Sequence, residues 1–268
     1  MNKKNRYSYP DKSNALTVQF IKTKQPYEGY WKKSEKFVLE QMKKIIKTFT
    51  RSKIDTCFMD VGCGTGRLLP EFQSYFDKIV AIDPDEDSLK IAKERVEKFG
   101  ISKKVIFQNS TIENIDWKNG SVDVILCSHV LQHVHTEILT NILNKFQKLI
   151  KINGLIFILT SQSIDNYDFF TKMYLDKREV SEERIEKNEF NSLVRNESNI
   201  LPIHFFSRKN LLQMLYSYQF EVIDSKSFHI LNKIPFLDHI VFRDKLINSF
   251  SFLKTRFGRD IFVVCKRY

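Results

Sequence analysis

Apolar residues fall into short runs and helix-spaced stripes that alternate along most of the chain. From Ser34, the positions Val38, Met42, Ile45, Ile46 and Phe49 share one helical face. The run Cys57 to Val61 follows, and then Leu68, Leu69, Phe72 and Phe76 recur at helical spacing. Pro70 stands in the first turn of that helix, where its missing N–H is no loss. Lys78 to Asp83 is a second apolar run, ending in an acid. Pro84 and Asp85 then lead into a helix with Leu89, Ala92, Val96 and Phe99 inward and Gly100 as its stop. Val105 to Phe107 and Val122 to Cys127 are a third and a fourth run, the latter after a turn at Gly120. A helix from Thr136 carries Ile138, Ile142, Phe146 and Leu149 inward, and Asn153-Gly154 turns into a fifth run, Leu155 to Thr160. Short apolar runs bounded by turns read as buried parallel strands. Their alternation with helices predicts an α/β protein with a doubly wound, mostly parallel sheet.

After Thr160 the pattern breaks. Residues 163–203 are charged and aromatic, with a candidate helix at 181–191, and read as an insertion over the mouth of a site. His204 to Ser207 resumes the core, and Ser207 is a good N-cap for a helix with Leu211, Leu212, Leu215 and Tyr218 inward. Phe220 to Phe228 and Asp260 to Lys266 read as a sixth and a seventh strand. The stretch between them, 229–257, is longer than a hairpin needs. It mixes Phe236, Phe242, Phe250, Phe252 and Phe257 with Lys233, Arg243, Lys245 and Lys254. That mixture suits an amphipathic lid or a homodimer surface, or a mouth for an apolar or anionic substrate. The first 30 residues show no period, and Pro26, Tyr27, Gly29, Tyr30 and Trp31 form either a strap on the core or a lid over a ligand. The expected division is therefore 1–50 as an N-terminal lid and helix, and 51–268 as the core, with insertions at 163–203 and 229–257.

Composition narrows the partners. At 268 residues and 42% hydrophobic, the chain is one large domain, or one domain with additions. A net charge of +11 permits nucleic acid, an acidic substrate or an anionic surface. The lysines, however, are scattered among many Asn and Ile, with no Lys/Arg run five long, so nucleic acid stays open without being favoured. Cys57, Cys63, Cys127 and Cys265 form no C-x-x-C pair, and three of them lie in strand patterns, which points to a reducing, cytoplasmic setting. Met1 to Pro10 is polar, so no secretory leader is expected, and no apolar run is long enough for a membrane span.

The chemistry concentrates at Gly62-Cys63-Gly64-Thr65-Gly66, between the first strand and its helix. Glycines there let the backbone turn sharply and a ligand come close. The spacing is G-x-G-x-G, not the G-x-G-x-x-G of dinucleotide sites, and Asp60 stands two residues before it. A carboxylate there repels a pyrophosphate and suits a ligand with an ammonium group.

The segment D-V-G-C-G-T-G, Asp60 to Gly66, resembles motif I of the class I S-adenosylmethionine-dependent methyltransferases. Ser121 to Val134, S-V-D-V-I-L-C-S-H-V-L-Q-H-V, looks like the same family's motif IV. The resemblance covers 55–160 strongly and 204–268 weakly, and does not cover 1–50 or 163–203. It implies a Rossmann-like sheet of seven strands with the last antiparallel, and S-adenosylmethionine as cofactor. The matching positions are Asp60, Gly62, Cys63, Gly64, Gly66, Asp83, Ser110, Thr111, Cys127 and Ser128. In the family the glycine turn passes under the methionine part of the cofactor. Asp83, about 20 residues past the glycines at a strand end, can accept both hydroxyls of a ribose. The family usually places an Asp where Ser110 stands, to accept from the adenine amino group. A serine hydroxyl can accept that bond without charge, and a backbone amide near Thr111 can serve too.

Methyl transfer from a sulfonium is an in-line displacement, so the protein has mainly to align two partners. A general base is needed only when the nucleophile holds its proton tightly. The candidates are His129 and His133, just past the fourth strand, with His135 reading as a helix cap. His129 and His133 are one helical turn apart, but no carboxylate follows as in H-E-x-x-H, so no metal is expected. No N/D-P-P-Y/F/W motif follows the fourth strand and no Pro-Cys nucleophile is present, which weakens an RNA-modifying reading. The intact glycine motif weakens a non-catalytic, cofactor-binding subunit. The expected function is methyl transfer to an O, N or C nucleophile of a small molecule, with those two readings as alternatives.

Overall fold

Alternate residues of the first strand serve opposite sides of the sheet. Met59 and Val61 join one apolar core and Phe58 joins another, so both faces must be covered by helices. The computed structural model describes residues 27–176, 179–195, 200–229, 240–254 and 257–268. In chain order the elements are α1 (Tyr27–Thr50), β1 (Cys57–Val61), α2 (Leu69–Phe72), β2 (Lys78–Ile82), α3 (Glu86–Lys98), β3 (Val105–Gln108) and β4 (Val122–Ser128). Then come α4 (Leu139–Leu149), β5 (Ile150–Ser163), β6 (Phe169–Asp176), β7 (Glu179–Ile185), α5 (Lys187–Arg195) and β8 (Leu201–Ser207). The chain ends with α6 (Arg208–Ser217), β9 (Phe220–Phe228), α7 (Ile240–Ser249), α8 (Ser251–Lys254) and β10 (Asp260–Arg267).

The seven strands expected from the sequence run in the order β3-β2-β1-β4-β5-β10-β9. Strands β1 to β5 pair in parallel, and β10 is antiparallel to both β5 and β9. One face is packed by Ile142 and Phe146 of α4 and Leu211 and Leu215 of α6. The other is packed by Val38, Met42 and Ile46 of α1, Leu69 and Phe72 of α2, and Leu89 and Val96 of α3. Caps agree with the sequence: Asp85 Oδ1 accepts from Ser88 N at 2.9 Å, and Ser207 Oγ accepts from Asn210 N at 3.3 Å. Gly100 takes the left-handed φ of +68° that stops α3.

Three further strands depart from expectation, giving ten in one sheet among the described residues. Of the candidate helix at 181–191, residues 181–185 belong to β7 of the β6–β7 hairpin, and 187–191 open α5, which starts at Lys187. Partners outside β7 hold charges of that strand. Arg259 holds Glu182 with two bonds of 2.9 and 2.8 Å, and Thr171 Oγ1 donates to Glu182 at 2.9 Å. β7 is an edge strand, where charge also blunts unwanted pairing. β6 lies antiparallel to β8, and β8 lies parallel to the last two residues of β5. The insertion is thus a small sheet standing past the carboxyl end of β5.

Smaller differences follow the same tertiary logic. α1 begins at Tyr27, so Tyr27, Gly29, Tyr30 and Trp31 are helical. α2 is one short turn, because Leu68 still belongs to the glycine turn and Phe76 lies beyond the helix end. Asn153 turns the chain at φ +62° inside β5, which starts earlier and runs longer than expected. Residues 1–26, with Pro26, and 230–239, with Lys233 and Phe236, lie outside the described residues. No described helix is long and apolar enough to cross a membrane.

Candidate active site

The glycine turn joins β1 to α2 and is tied to β2. Gly62 N and Cys63 N both donate to Ile82 O, at 2.8 and 2.9 Å. A Cβ added at Gly62 would lie 2.3 Å from Val130 Cγ2, so glycine is required for the end of β4 to close over the turn. A Cβ at Gly64 would meet nothing within 4 Å. The turn is therefore packed from below at Gly62 and open above Gly64.

Two carboxylates flank this opening. Asp83 Oδ2 accepts from Gly64 N at 2.8 Å and Oδ1 accepts from Asp85 N at 2.9 Å, fixing the carboxylate between the turn and the start of α3. Asp60 is 2% exposed, and no side-chain hydrogen bond to it occurs among the described residues. Burial, with the neighbouring charge of Asp83, pushes the Asp60 carboxyl up to about 7, and Arg67 opposes the rise. Arg67 is itself held by Glu35 of α1 through two bonds, 2.9 and 2.6 Å. Cys63 is buried against the same acids, and burial raises its thiol far above the ordinary range. Beyond β3, Ser110 Oγ donates to Thr111 O at 3.0 Å, and Thr111 Oγ1 accepts from Asn114 Nδ2 at 2.8 Å. Cys127 is fully buried at the end of β4, with Ser128 partly exposed after it. The structure thus brings Asp60, the glycines, Asp83, Ser110, Thr111, Cys127 and Ser128 to the carboxyl ends of adjacent strands. An open sheet binds its ligand there.

The opposite wall is built from histidines. His129 follows β4 with a left-handed φ of +55°, and its N–H donates to Leu159 O at 2.8 Å. Such a backbone in a non-glycine residue is a sign of constraint. His129 Nδ1 lies 3.3 Å from Gln132 Oε1, and His133 Nδ1 donates to Pro202 O at 2.8 Å. Burial lowers the His133 imidazole to about 4, while the bond to Pro202 opposes this. His135 Nδ1 accepts from Glu137 N at 3.3 Å, the capping role its position suggested. A buried pair, His229 with Asp260, stands beside them, and His229 N donates to Ser34 Oγ at 2.9 Å. Against the pull of burial, the bond from His229 and the nearby His129 and Arg259 hold the Asp260 carboxyl below its usual range. Among the described residues no group of three His, Cys, Asp or Glu is placed to hold a metal ion.

Gln132, His229 and Asp260 were missed from the sequence. Gln132 carried a faint signal, three residues after one candidate histidine and next to the other. His229 and Asp260 carried none, since they meet only because β9 ends where its antiparallel partner β10 begins.

Residues 58–154 match the family model described as a methyltransferase domain. This stretch is a class I S-adenosylmethionine-dependent methyltransferase domain. The methyltransferase domain is 31% identical over 97 residues to methyltransferase pgmE of Aspergillus terreus, covering 35% of this chain and 28% of that protein. It is 31% identical over 115 residues to the ubiquinone biosynthesis O-methyltransferase of Colwellia psychrerythraea, covering 42% and 45%. The chain thus spans less than half the length of these curated relatives. Among solved structures, the Burkholderia thailandensis 1,6-didemethyltoxoflavin-N1-methyltransferase superposes with a TM-score of 0.54 at 14% identity, covering 98% of this chain and 93% of that one. At that identity the likeness concerns the fold alone, and its coverage reaches past the matched domain.

Proposed function

We propose that the chain binds S-adenosylmethionine and transfers its methyl group to an O, N or C nucleophile of a small molecule. Asp60 carries this reading. A buried carboxylate without a hydrogen-bond donor is costly unless a cation meets it. Asp60 sits beneath a turn whose open side, above Gly64, leaves room for a ligand. The ammonium of the cofactor's methionine part is such a cation. Asp83 already accepts two backbone amides, and a carboxylate offers about four acceptor positions, so it can also take ribose hydroxyls. Ser110 and Thr111 would face the adenine, and Cys63, Cys127 and Ser128 would form the floor. The cofactor supplies a methyl on a positively charged sulfur. The chain's residues hold it, aim it and exclude water.

The small-molecule reading is supported by the insertion sheet β6–β8, which stands over the carboxyl end of β5 as a substrate wall. It is also supported by relatives whose names specify a ubiquinone precursor pathway and a toxoflavin precursor. The substrate is an apolar or anionic molecule. His129 and His133 are the candidate bases for an O–H or N–H nucleophile. Titration calorimetry with S-adenosylmethionine and S-adenosylhomocysteine tests the core of the reading. Micromolar-range binding, lost in Asp83→Ala, is expected; no binding to the unmodified chain overturns it.

A further inference from the structure

We infer that Gln132 is a positioning residue that fixes the direction of a hydrogen-bond chain, leaving Nε2 of His129 as the lone pair that takes the nucleophile's proton. The inference rests on the methyl-transfer reading and deepens it.

The chain's polarity is set at two fixed points. A carbonyl oxygen can only accept, so His133 Nδ1, 2.8 Å from Pro202 O, carries a hydrogen. A backbone N–H can only donate, so the Gln132 atom 2.7 Å from Ser161 N is the amide oxygen. That settles the amide orientation: Gln132 Nε2 faces His133 Nε2 at 3.2 Å and donates to it. His133 is therefore the neutral tautomer with hydrogen on Nδ1, and both its ring nitrogens are engaged. Gln132 Oε1, already accepting from Ser161, lies 3.3 Å from His129 Nδ1 and can only accept from it. His129 thus holds its hydrogen on Nδ1, and in the neutral ring Nε2 carries the lone pair. Among the described residues Nε2 of His129 makes no hydrogen bond, and the residue is partly exposed. Val130, its neighbour, is the residue that covers Gly62, so His129 stands at the rim of the opening beside the glycine turn.

Gln132 is 6% exposed; its amide oxygen accepts from Ser161 N and His129 Nδ1, and its nitrogen donates to His133. Burial keeps His133 neutral well below pH 7, so the chain does not reverse in the working range. Among the described residues, the other titratable groups near His129 are Asp260 of β10 and, paired with it, His229 after β9. When a hydroxyl or amine attacks, the new bond forms between its lone pair and the methyl carbon. The carbon–sulfur bonding pair stays on sulfur, and the nucleophile's proton passes to His129 Nε2. The resulting imidazolium returns that proton to water. The same geometry excludes His133 as the base.

Nitrogen NMR of the histidine rings in the labelled full chain tests this without a substrate. At pH 7.5, His129 and His133 should both show hydrogen on Nδ1 and a bare Nε2. Hydrogen on Nε2 of His129 overturns the inference. Gln132→Glu replaces the donor facing His133 with an acceptor, so His133 should take a second proton at a markedly higher pH than in the unmodified chain. An unchanged His133 titration in the folded variant overturns the chain. A merely structural Gln132 would leave that titration where it was. Diethyl pyrocarbonate should modify His129 and spare His133; the reverse selectivity also overturns it. Calorimetry with S-adenosylhomocysteine on the same samples separates the two levels. Intact binding with the wrong tautomers overturns only the base assignment, and absent binding overturns the methyl-transfer reading and the base together.

Discussion

The two walls of the site are made in different ways. The glycine-turn wall is local: Asp60, Gly62, Gly64 and Asp83 sit on two adjacent parallel strands, and backbone amides fix most of their geometry. The histidine wall is assembled from afar. His133 leans on Pro202 from β8, Gln132 on Ser161 from β5, and Asp260 of β10 on His229 after β9. This second wall depends on contacts from segments outside the matched domain.

If the walls are separable, damage to one should spare the other. The largest effect is expected for Asp260→Asn. Breaking a buried ion pair by removing one partner costs about 3–5 kcal/mol. The denaturant midpoint should fall accordingly, while affinity for S-adenosylhomocysteine in the folded fraction stays the same. A large loss of affinity would show that the walls are coupled. Because the Asp260 carboxyl lies below its usual range, its stabilising part is present above the unfolded carboxylate range and is lost as pH falls through the folded one. The unmodified chain should therefore lose more stability than Asp260→Asn on acidification.

Gly62→Ala attacks the turn itself. A Cβ 2.3 Å from Val130 Cγ2, at a φ of +70°, should cost about 2–4 kcal/mol in strain and overpacking. It should also reach the histidine wall, since Val130 adjoins His129. A thermal shift near zero would mean that β4 does not close over the turn.

Asp60→Asn should separate stability from binding. Removing a buried charge without a donor should leave apoprotein stability at pH 8 unchanged or raised. Affinity for S-adenosylmethionine should fall about 30-fold or more, corresponding to about 2 kcal/mol for a lost buried charge contact. Unchanged affinity would remove Asp60 from the proposed cofactor contacts.

The smallest effect is the pH dependence of binding to the unmodified chain. A protonated Asp60 cannot pair with an ammonium. Affinity should be full above about pH 7 and fall by roughly tenfold per unit below it, with proton release on binding. Flat affinity between pH 5.5 and 8 would contradict this.

Much of the glycine-turn wall was legible because its signals are short in sequence. A strand, a turn and a helix cap are local patterns, and Asp60, the glycines and Asp83 lie within one strand–helix–strand unit. Helix faces and the N-cap Ser207 followed from period and residue type. The hairpin at 169–185 was not legible. Its acids have weak strand preference, and distant partners, Arg259 and Thr171 on Glu182 and Lys172 beside Glu183, favour the strand. The histidines were legible as candidates, but their roles were not, because a ring's tautomer is set by its partners.

The sequence by itself determined the seven-stranded core, the turn between β1 and α2 and the acids around it, since hydrophobic period and glycine spacing act over a few residues. Only the tertiary structure decided that the insertion is a sheet, that Asp260 meets His229 and that Gln132 links His129 to His133. Strand pairing joins residues far apart in the chain, such as His229 to Asp260, and the neighbours His129, Gln132 and His133 take their hydrogen-bond directions from the distant Ser161 and Pro202.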